Sequence, residues 1–293
     1  MRIASLLPAA TEIVAALGLA DELVARTVRC DMPPGIESVP AVTIADPRRD
    51  RLDADALVAA APDLVLVQDL CAVCAVTADE VRTIVRDRLP DASVVALQPE
   101  SVEGILNTIT TVGAHAEAED EAVGLVELLR ERLGSLEARV VERRLAGVPP
   151  PRVILLEWID PPFASGHWIP EMVRRAGGWE LLGTEGAPSV PVAWERIREL
   201  DPEVLIVAPC GLSAADAAAA WSAAPLPGWI GTLRAVRTGR CVAIDGDGLV
   251  ARPGPRVIEG IGVLARVLDP DGFADLVPDA GALPLPLPAA AAG

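Results

Sequence analysis

Five cysteines carry the most specific chemistry in this sequence, and four of them follow short apolar runs. Cys71 and Cys74 stand three apart behind LVLV at 64–67, a run typical of a buried strand. Cys30 and Cys210 each follow a further predicted strand. Thiolates bind zinc and iron–sulfur clusters and also perform redox chemistry, whereas buried free cysteines usually pack as small hydrophobic residues. The pattern therefore leaves metal binding, redox work and packing open.

The spacing of the cysteines does not decide among these interpretations. A lone C-x-x-C lacks the second pair of a zinc-finger pattern, and no small βαβ domain of the thioredoxin type surrounds it. Cys241 falls inside a predicted strand, so we expect it to be a core residue. The four remaining cysteines could hold a metal only if the fold brings them together.

The two histidines differ in their predicted surroundings. His167 follows the strand that ends at Trp158, whereas His115 lies at the start of a long charged helix. His167 is therefore the better candidate for ligand binding. No Ser/His/Asp set, P-loop or G-x-G-x-x-G occurs in a proper context, so the sequence predicts no catalytic centre and no enzyme.

Composition excludes several classes of partner. The net charge of −17 repels phosphate backbones and anionic membrane surfaces, which excludes a nucleic-acid partner. No apolar run reaches the ~20 residues of a membrane span, so the chain is not expected to be embedded in a membrane. No signal peptide precedes the first predicted strand, which predicts a cytoplasmic protein. If a start codon lies further upstream, the location would be extracytoplasmic.

Strand and helix signals alternate along the chain, which predicts an α/β fold with mainly parallel sheets. Residues 113–146 read as one charged helix of ~45 Å that joins two lobes. Pro62-Asp63-LVLV and Pro202-Glu203-VLIV indicate that the lobes are related. The predicted segments are an N-terminal lobe 1–112, a connecting helix 113–147, a C-terminal lobe 148–270 and a loose Pro/Ala-rich tail 271–293.

Ligands of open α/β sheets bind beyond the carboxyl ends of the strands. Four of the cysteines, His167 and Trp168 follow such strand ends, so facing lobes would bring them to one cleft.

Three segments resemble one protein family. SLLPAATEIVAALGLADELVARTVRCDMPP at 5–34 is similar to the start of the cobalamin-binding proteins of ABC importers. DPPFASGHW at 160–168 resembles a cleft-lining turn of that family, and GRCVAIDGDGLVARPGPRVIEGI at 239–261 its closing strand, loop and helix. The similarity spans roughly residues 2–270. These proteins belong to the helical-backbone class of substrate-binding proteins, which also carries siderophores and haem.

The resemblance implies two α/β lobes bridged by one long helix. It also implies a ligand bound between the lobes without chemistry and presented to a membrane permease. Trp194 and His167 are further ligand candidates, and Glu80 and Glu195 match the acids that dock onto permease arginines. The residues that match the family's ligand-binding positions are Pro8, Asp31, Pro33, Phe163, Gly166, Trp168 and Arg252.

Three functional hypotheses follow. The first is a corrinoid-binding protein for uptake, sequestration or hand-over, in which a cysteine or His167 ligates cobalt or simply lines the site. The second is a cytoplasmic metalloprotein, possibly an enzyme, that holds zinc or an iron–sulfur cluster through Cys30, Cys71, Cys74 and Cys210. The third is siderophore or haem binding, which ranks lower because the named segments supply few arginines beyond Arg29 and Arg252.

Overall fold

The structure is a computed structural model that describes residues 1–46, 50–68, 76–278 and 281–285. It divides into two compact units. Unit 1 comprises residues 1–99 and 103–129, and unit 2 comprises 100–102 and the rest of the chain from 130 onward. Each unit has parallel strands at the centre of its main sheet and helices around them, so the predicted fold class is confirmed.

Unit 1 is built on a four-stranded parallel sheet of order β2-β1-β5-β6, with β3 and β4 forming a separate antiparallel pair. Its strands are β1 (Ile3–Ser5), β2 (Leu23–Arg26), β3 (Thr43–Ile44), β4 (Arg51–Leu52), β5 (Leu64–Gln68) and β6 (Ser93–Leu97). Its helices are α1 (Pro8–Ala16), α2 (Ala54–Ala59), α3 (Ala78–Arg88), α4 (Val102–His115) and the first half of α5 (Glu119–Leu145).

The apolar run of β5 explains its central place in unit 1. Leu64 to Val67 are all buried, and alternate residues of a strand point to opposite faces. Val65 and Val67 pack with Leu57 of α2 and Val81 of α3. Both faces of β5 are therefore covered, as expected for a central parallel strand.

Unit 2 contains a seven-stranded mixed sheet of order β10-β8-β7-β11-β12-β13, with β9 also paired to β7. The all-buried run of β11 lies between β7 and β12, which are parallel to it. Its strands are β7 (Arg152–Ile159), β8 (Pro162–Ala164), β9 (Trp179–Glu180), β10 (Val190–Pro191), β11 (Val204–Val207), β12 (Cys241–Ile244) and β13 (Ala282–Pro284). Its helices are the second half of α5, α6 (Ile169–Arg175), α7 (Trp194–Leu200), α8 (Ala214–Ala223), α9 (Arg234–Arg237) and α10 (Val257–Leu268).

The same set of hydrogen bonds, called the lock below, occurs separately in each unit at the amino ends of its strands. In unit 1 the Arg2 backbone N–H donates to Asp63 at 2.8 Å, and the Arg2 guanidinium donates to the Ala60 carbonyl at 2.6 Å. In unit 2 Arg152 repeats this, with its N–H donating to Glu203 at 2.9 Å and its guanidinium to the Leu200 carbonyl at 2.5 Å. The repeated lock strengthens the inference, drawn from Pro62-Asp63 and Pro202-Glu203, that the two lobes are related.

The predicted start of the long helix at 113 is wrong. Helix α4 runs on to His115, and α5 begins at Glu119. Glu117 adopts a left-handed backbone with φ of 55°, and the Ala118 N–H donates back to the Gly113 carbonyl at 2.9 Å, as at many helix ends. Within the described residues, neither α5 nor any other helix has the length and apolar character needed to cross a membrane.

The predicted loose tail is also wrong for its described part, residues 271–278 and 281–285. The Phe273 side chain is only 1% exposed, because apolar residues of this segment join the core of unit 2. Arg139 of α5 donates to the Gly272 carbonyl and pairs with Asp275, both at 2.8 Å. Further on, β13 pairs antiparallel with β12.

Candidate functional site

Open α/β sheets bind ligands beyond the carboxyl ends of their strands. In unit 1 these are the carboxyl ends of β1, β2 and β5, which are called the candidate edge of unit 1. The loop after β1 leads to Pro8, which opens α1 and is half-buried. The loop after β2 carries Cys30, Asp31 and Pro33. The segment after β5, with the predicted Cys71 and Cys74, lies outside the described residues.

Arg26 organises the loop after β2. Its guanidinium donates to the backbone carbonyls of Ile36 at 3.0 Å and Val39 at 2.9 Å. It also donates to the carbonyl of Thr27 at 2.9 Å. One side chain thus ties both ends of the loop that presents Asp31, which is exposed, and Pro33, which is half-buried. The positive charge of Arg26 is directed at the backbone of its own loop.

Cys30 lies in a buried cluster of hydroxyl groups. Its Sγ is 3.0 Å from Thr11 Oγ1 and 3.4 Å from Thr27 Oγ1, and the Thr11 hydroxyl also donates to Ser5 Oγ at 2.8 Å. The thiol is 5% exposed. This environment fits the packing interpretation of Cys30, with the thiol in contact with one hydroxyl of α1 and one of the loop after β2.

Arg29 and Asp50 form a two-pronged ion pair beside this loop. The Arg29 Nε and Nη2 donate to the two carboxylate oxygens of Asp50, each at 2.9 Å. The Asp50 carboxylate is buried, and paired N–H groups are the preferred geometry for a carboxylate. The charge of Arg29 is therefore already balanced within unit 1.

The carboxyl end of β7 starts the candidate edge of unit 2. The pairing of β7 with β8 shifts register between Leu156 and Trp158, which leaves Glu157 as an extra residue in β7. One carboxylate oxygen of Glu157 accepts from the Gly166 N–H at 3.2 Å, and the other accepts from the Ser189 hydroxyl. Glu157 therefore fastens two loops to the end of β7.

Trp158, Phe163 and Pro191 form an aromatic platform next to Glu157. Trp158 lies opposite Phe163 in the β7–β8 pair, and Phe163 lies opposite Pro191 in the β8–β10 pair. Directly opposed residues of antiparallel strands share one face of the sheet. Trp158 is 44% exposed and Pro191 is exposed, while Phe163 is half-buried between them. The platform is thus an accessible apolar surface at the predicted edge.

The turn at Gly166 and His167 is held against a neighbouring loop. The His167 N–H donates to the Ala187 carbonyl at 2.6 Å, and the Gly186 N–H donates to the His167 carbonyl at 2.8 Å. A Cβ on Gly166 would lie 2.3 Å from the Ser189 nitrogen, so no other residue fits without moving this backbone. The predicted site residue Gly166 therefore serves the close approach of two loops.

Trp168 and Arg252 are buried, whereas Trp158 and Pro191 of the platform are exposed. The Trp168 side chain is 4% exposed, and its Nε1–H donates to the Val250 carbonyl at 2.8 Å. Arg252 pairs with Asp247 at 2.6 Å on the wide helical turn Gly246–Ala251. Both side chains are thus enclosed, with Trp168 Nε1 and Arg252 Nη2 bound within the protein.

The other predicted residues are dispersed. Trp194 packs edge-on against Trp221 of the unit 2 core, with ring centroids 6.2 Å apart, which fits simple packing over α7. Cys210 is exposed after β11. Glu80 is half-buried and Glu195 exposed in the first turns of α3 and α7, so the docking role remains a prediction.

The metal-site prediction gains no support from the structure. Among the described residues, no group of three or more His, Cys, Asp or Glu side chains is placed to hold a metal ion. Cys241 is buried in the core as predicted, and burial raises the pKa of its thiol to about 12. A thiol with that pKa remains protonated near neutral pH and is a poor metal ligand or nucleophile.

Three structurally important residues were missed by the sequence reasoning. Trp158 ends an apolar run, so the rule for strand ends that selected the cysteines could have selected it too. Glu157 is an acid within an apolar strand, which is a recognisable signal. Arg26 gave no such signal, because its role depends on a loop that turns back onto its side chain.

Comparison with known proteins shows similarity along most of the chain. Residues 3–247 match the family model described as periplasmic binding protein. An ABC transporter substrate-binding lipoprotein of Bacillus subtilis is 25% identical over 279 residues, covering 93% of this chain and 81% of that protein. The vitamin B12-binding protein of Vibrio cholerae serotype O1 is 22% identical over 263 residues, covering 89% of this chain and 86% of that protein.

Solved structures of similar fold include binders of two kinds of macrocycle. A periplasmic haem-binding protein from Pseudomonas aeruginosa has a TM-score of 0.75 at 22% identity, with 92% of each chain covered. The periplasmic vitamin B12-binding protein of Vibrio cholerae has a TM-score of 0.70 at 23% identity, covering 91% of this chain and 96% of that chain. At these identities the likeness shows the fold.

Proposed function

Because the chain belongs to the periplasmic binding protein family, we propose that it binds a corrinoid, without chemical change, at the candidate edge of unit 2. The observation that carries this proposal is the aromatic platform of Trp158, Phe163 and Pro191. A corrin is a broad and mostly apolar ring with amide arms. Exposed aromatic faces suit such a ring, and a few polar groups fix its orientation.

The charges at the two edges favour a corrinoid over anionic ligands. Arg29 is paired with Asp50, and Arg252 is paired with Asp247. Arg26 donates to the carbonyls of its own loop. Haem carries two propionates and many ferric siderophores are anionic, so their recognition calls for convergent cations. The amide arms of a corrinoid instead need neutral hydrogen-bonding partners.

A direct binding experiment tests the proposal. The purified protein would be mixed with cyanocobalamin, aquacobalamin or haemin and separated from unbound ligand by gel filtration. We expect about one equivalent of corrin to elute with the protein, and excess haemin not to displace it. Retention of haemin in preference to both corrinoids would overturn the proposal, as would elution of the protein without corrin.

Membership of this family implies a permease partner. We propose that the loaded protein docks through Glu80 and Glu195, which stand in the first turns of two helices. Acids at such positions also balance the helix dipole, so the docking proposal needs its own test. That test is given with the predictions below.

A further inference from the structure

His167 has an unusual backbone conformation at the candidate edge. Its φ is 51°, in the left-handed region that non-glycine residues seldom adopt. Two backbone hydrogen bonds hold it there, from the His167 N–H to the Ala187 carbonyl and from the Gly186 N–H to the His167 carbonyl. Gly166, the residue before His167, is fixed by its close packing against Ser189. Left-handed residues held by their surroundings cluster at ligand sites.

The imidazole of His167 lies beside the Trp168 ring but forms no hydrogen bond with the described residues. Its ring centroid lies 5.9 Å from that of Trp168, with a tilt of 35°. The Trp168 ring is itself fixed by its bond to the Val250 carbonyl. The His167 side chain is half-buried, and within the part of the chain that the structure describes its ring nitrogens make no hydrogen bond. The imidazole is therefore not committed to a partner among these residues.

The turn that carries His167 is joined directly to the aromatic platform. Phe163 of the platform lies in β8, and the chain passes from β8 into Gly166 and His167. The Gly166 N–H is bonded to Glu157, the residue next to Trp158. A macrocycle resting on the platform would therefore lie beside the segment that presents the imidazole.

We propose that the imidazole of His167 is an axial ligand of the cobalt in the bound corrinoid. This inference rests on the proposed function and adds the residue that recognises the metal centre. In aquacobalamin, a ring nitrogen of His167 would donate its lone pair to cobalt and the coordinated water would leave. The other ring nitrogen keeps its proton, and cobalt remains in the +3 state. Imidazole is a donor that cobalt readily accepts.

Absorption spectra of three proteins test the inference. The wild type is compared with His167→Asn, because Asn tolerates the left-handed backbone, and with His115→Asn, the matched change at the other histidine of the chain. Each is mixed with aquacobalamin and with cyanocobalamin. Aquacobalamin in excess imidazole supplies the reference spectrum for nitrogen coordination.

The wild type and His115→Asn are expected to shift the aquacobalamin bands toward the imidazole reference. His167→Asn should bind roughly tenfold more weakly and without the shift. Cyanocobalamin, whose cyanide is held tightly, should bind the wild type and His167→Asn with similar affinity. If His167→Asn proves unfolded by circular dichroism, His167→Gly replaces it, because glycine adopts positive φ readily.

The outcomes separate the two proposals. Binding of aquacobalamin by the wild type without a shift overturns the role of His167 and leaves corrinoid binding in place. A shift that persists in His167→Asn does the same. Failure of the wild type to bind either corrinoid overturns both proposals.

Discussion

Replacing Trp158 by alanine is expected to weaken ligand binding with little effect on the fold. Trp158 is 44% exposed at the end of β7. A fully exposed tryptophan presents ~250 Å² of surface, so roughly 110 Å² of its side chain is available to a ligand. At ~25 cal/mol per Å², covering that surface contributes at most about 2.7 kcal/mol, and covering half of it about 1.4 kcal/mol. The dissociation constant should therefore rise by roughly 10- to 100-fold.

The assay is a titration with cyanocobalamin, followed by calorimetry or by corrin absorbance after gel filtration. Trp179→Ala is the matched control, because Trp179 is 59% exposed and belongs to the same sheet of unit 2. Trp179 lies opposite Arg152, at the amino end of β7, away from the platform. Trp179→Ala should therefore leave the dissociation constant for cyanocobalamin unchanged.

Stability must be measured alongside binding. Loss of the cross-strand contact with Phe163 should lower the free energy of unfolding by only about 0.2–1 kcal/mol. Equal affinities of Trp158→Ala and the wild type would refute the assignment of the platform to the ligand. Equal weakening by Trp158→Ala and Trp179→Ala would refute it too, since the effect would not be specific to the platform.

Three further predictions concern a loop glycine, a half-buried acid and the permease partner. Gly166→Ala should lower the free energy of unfolding by about 1–3 kcal/mol in urea titrations, because its Cβ would lie 2.3 Å from a backbone nitrogen. Burial raises the pKa of the Glu180 carboxyl to about 7 from 4.5, so the folded state retains this proton up to higher pH than the unfolded state. The stability from this group is present below pH ~4.5 and falls by about 3 kcal/mol as the pH rises through about 7, a loss that Glu180→Gln should not show in urea titrations at pH 5 and 8. Charge reversal at Glu80 and Glu195 should leave corrinoid affinity unchanged and reduce corrinoid uptake by cells that depend on this protein.

Each of these predictions has a contrasting result. Gly228→Ala meets nothing within 4 Å and should change stability by less than about 0.5 kcal/mol, so equal losses at Gly166 and Gly228 would contradict the packing argument. Parallel pH profiles of the wild type and Glu180→Gln would show that the carboxyl does not titrate in this range. Normal uptake by the charge-reversed protein would remove Glu80 and Glu195 as docking residues.

The sequence was sufficient for the parts of the fold that depend on local patterns. The runs at 64–67 and 204–207 are apolar at every position, as is typical of strands covered on both faces, and both are central strands. Pro62-Asp63 and Pro202-Glu203 lead into those strands and take part in the same lock. Cys241 was correctly predicted as a core residue because it falls inside a predicted strand.

The errors come from effects that no local pattern records. The break between α4 and α5 uses Glu117 in a left-handed conformation, where neither glycine nor proline marks a helix end. The tail looked loose from its Pro and Ala content, yet Phe273 and Val277 are buried, and Arg139 of α5 binds the segment at Gly272 and Asp275. Composition cannot show a contact between residues that are far apart in sequence.

The candidate site was harder to predict than the fold. Ligand residues were assigned by position, and position does not distinguish an exposed aromatic ring from a buried one. Trp168 was therefore named as a ligand residue and Trp158 was not, although Trp168 is enclosed and Trp158 is accessible. The decisive differences are the register shift at Glu157 and the bond from Trp168 to Val250, which exist only after the strands and loops have packed.

The lock that Arg2 forms in unit 1 and Arg152 forms in unit 2 has an evolutionary consequence. A duplicated ancestral half would keep such a lock at one edge of its sheet, where it secures the start of the strands. The opposite edge would then be open to divergence, because substitutions there leave the lock intact. In unit 1 that edge carries a loop tied by an arginine, and in unit 2 an aromatic platform. Loops at the carboxyl ends of the strands can thus be exchanged to change ligand specificity, while the hydrogen bonds at the amino ends are retained.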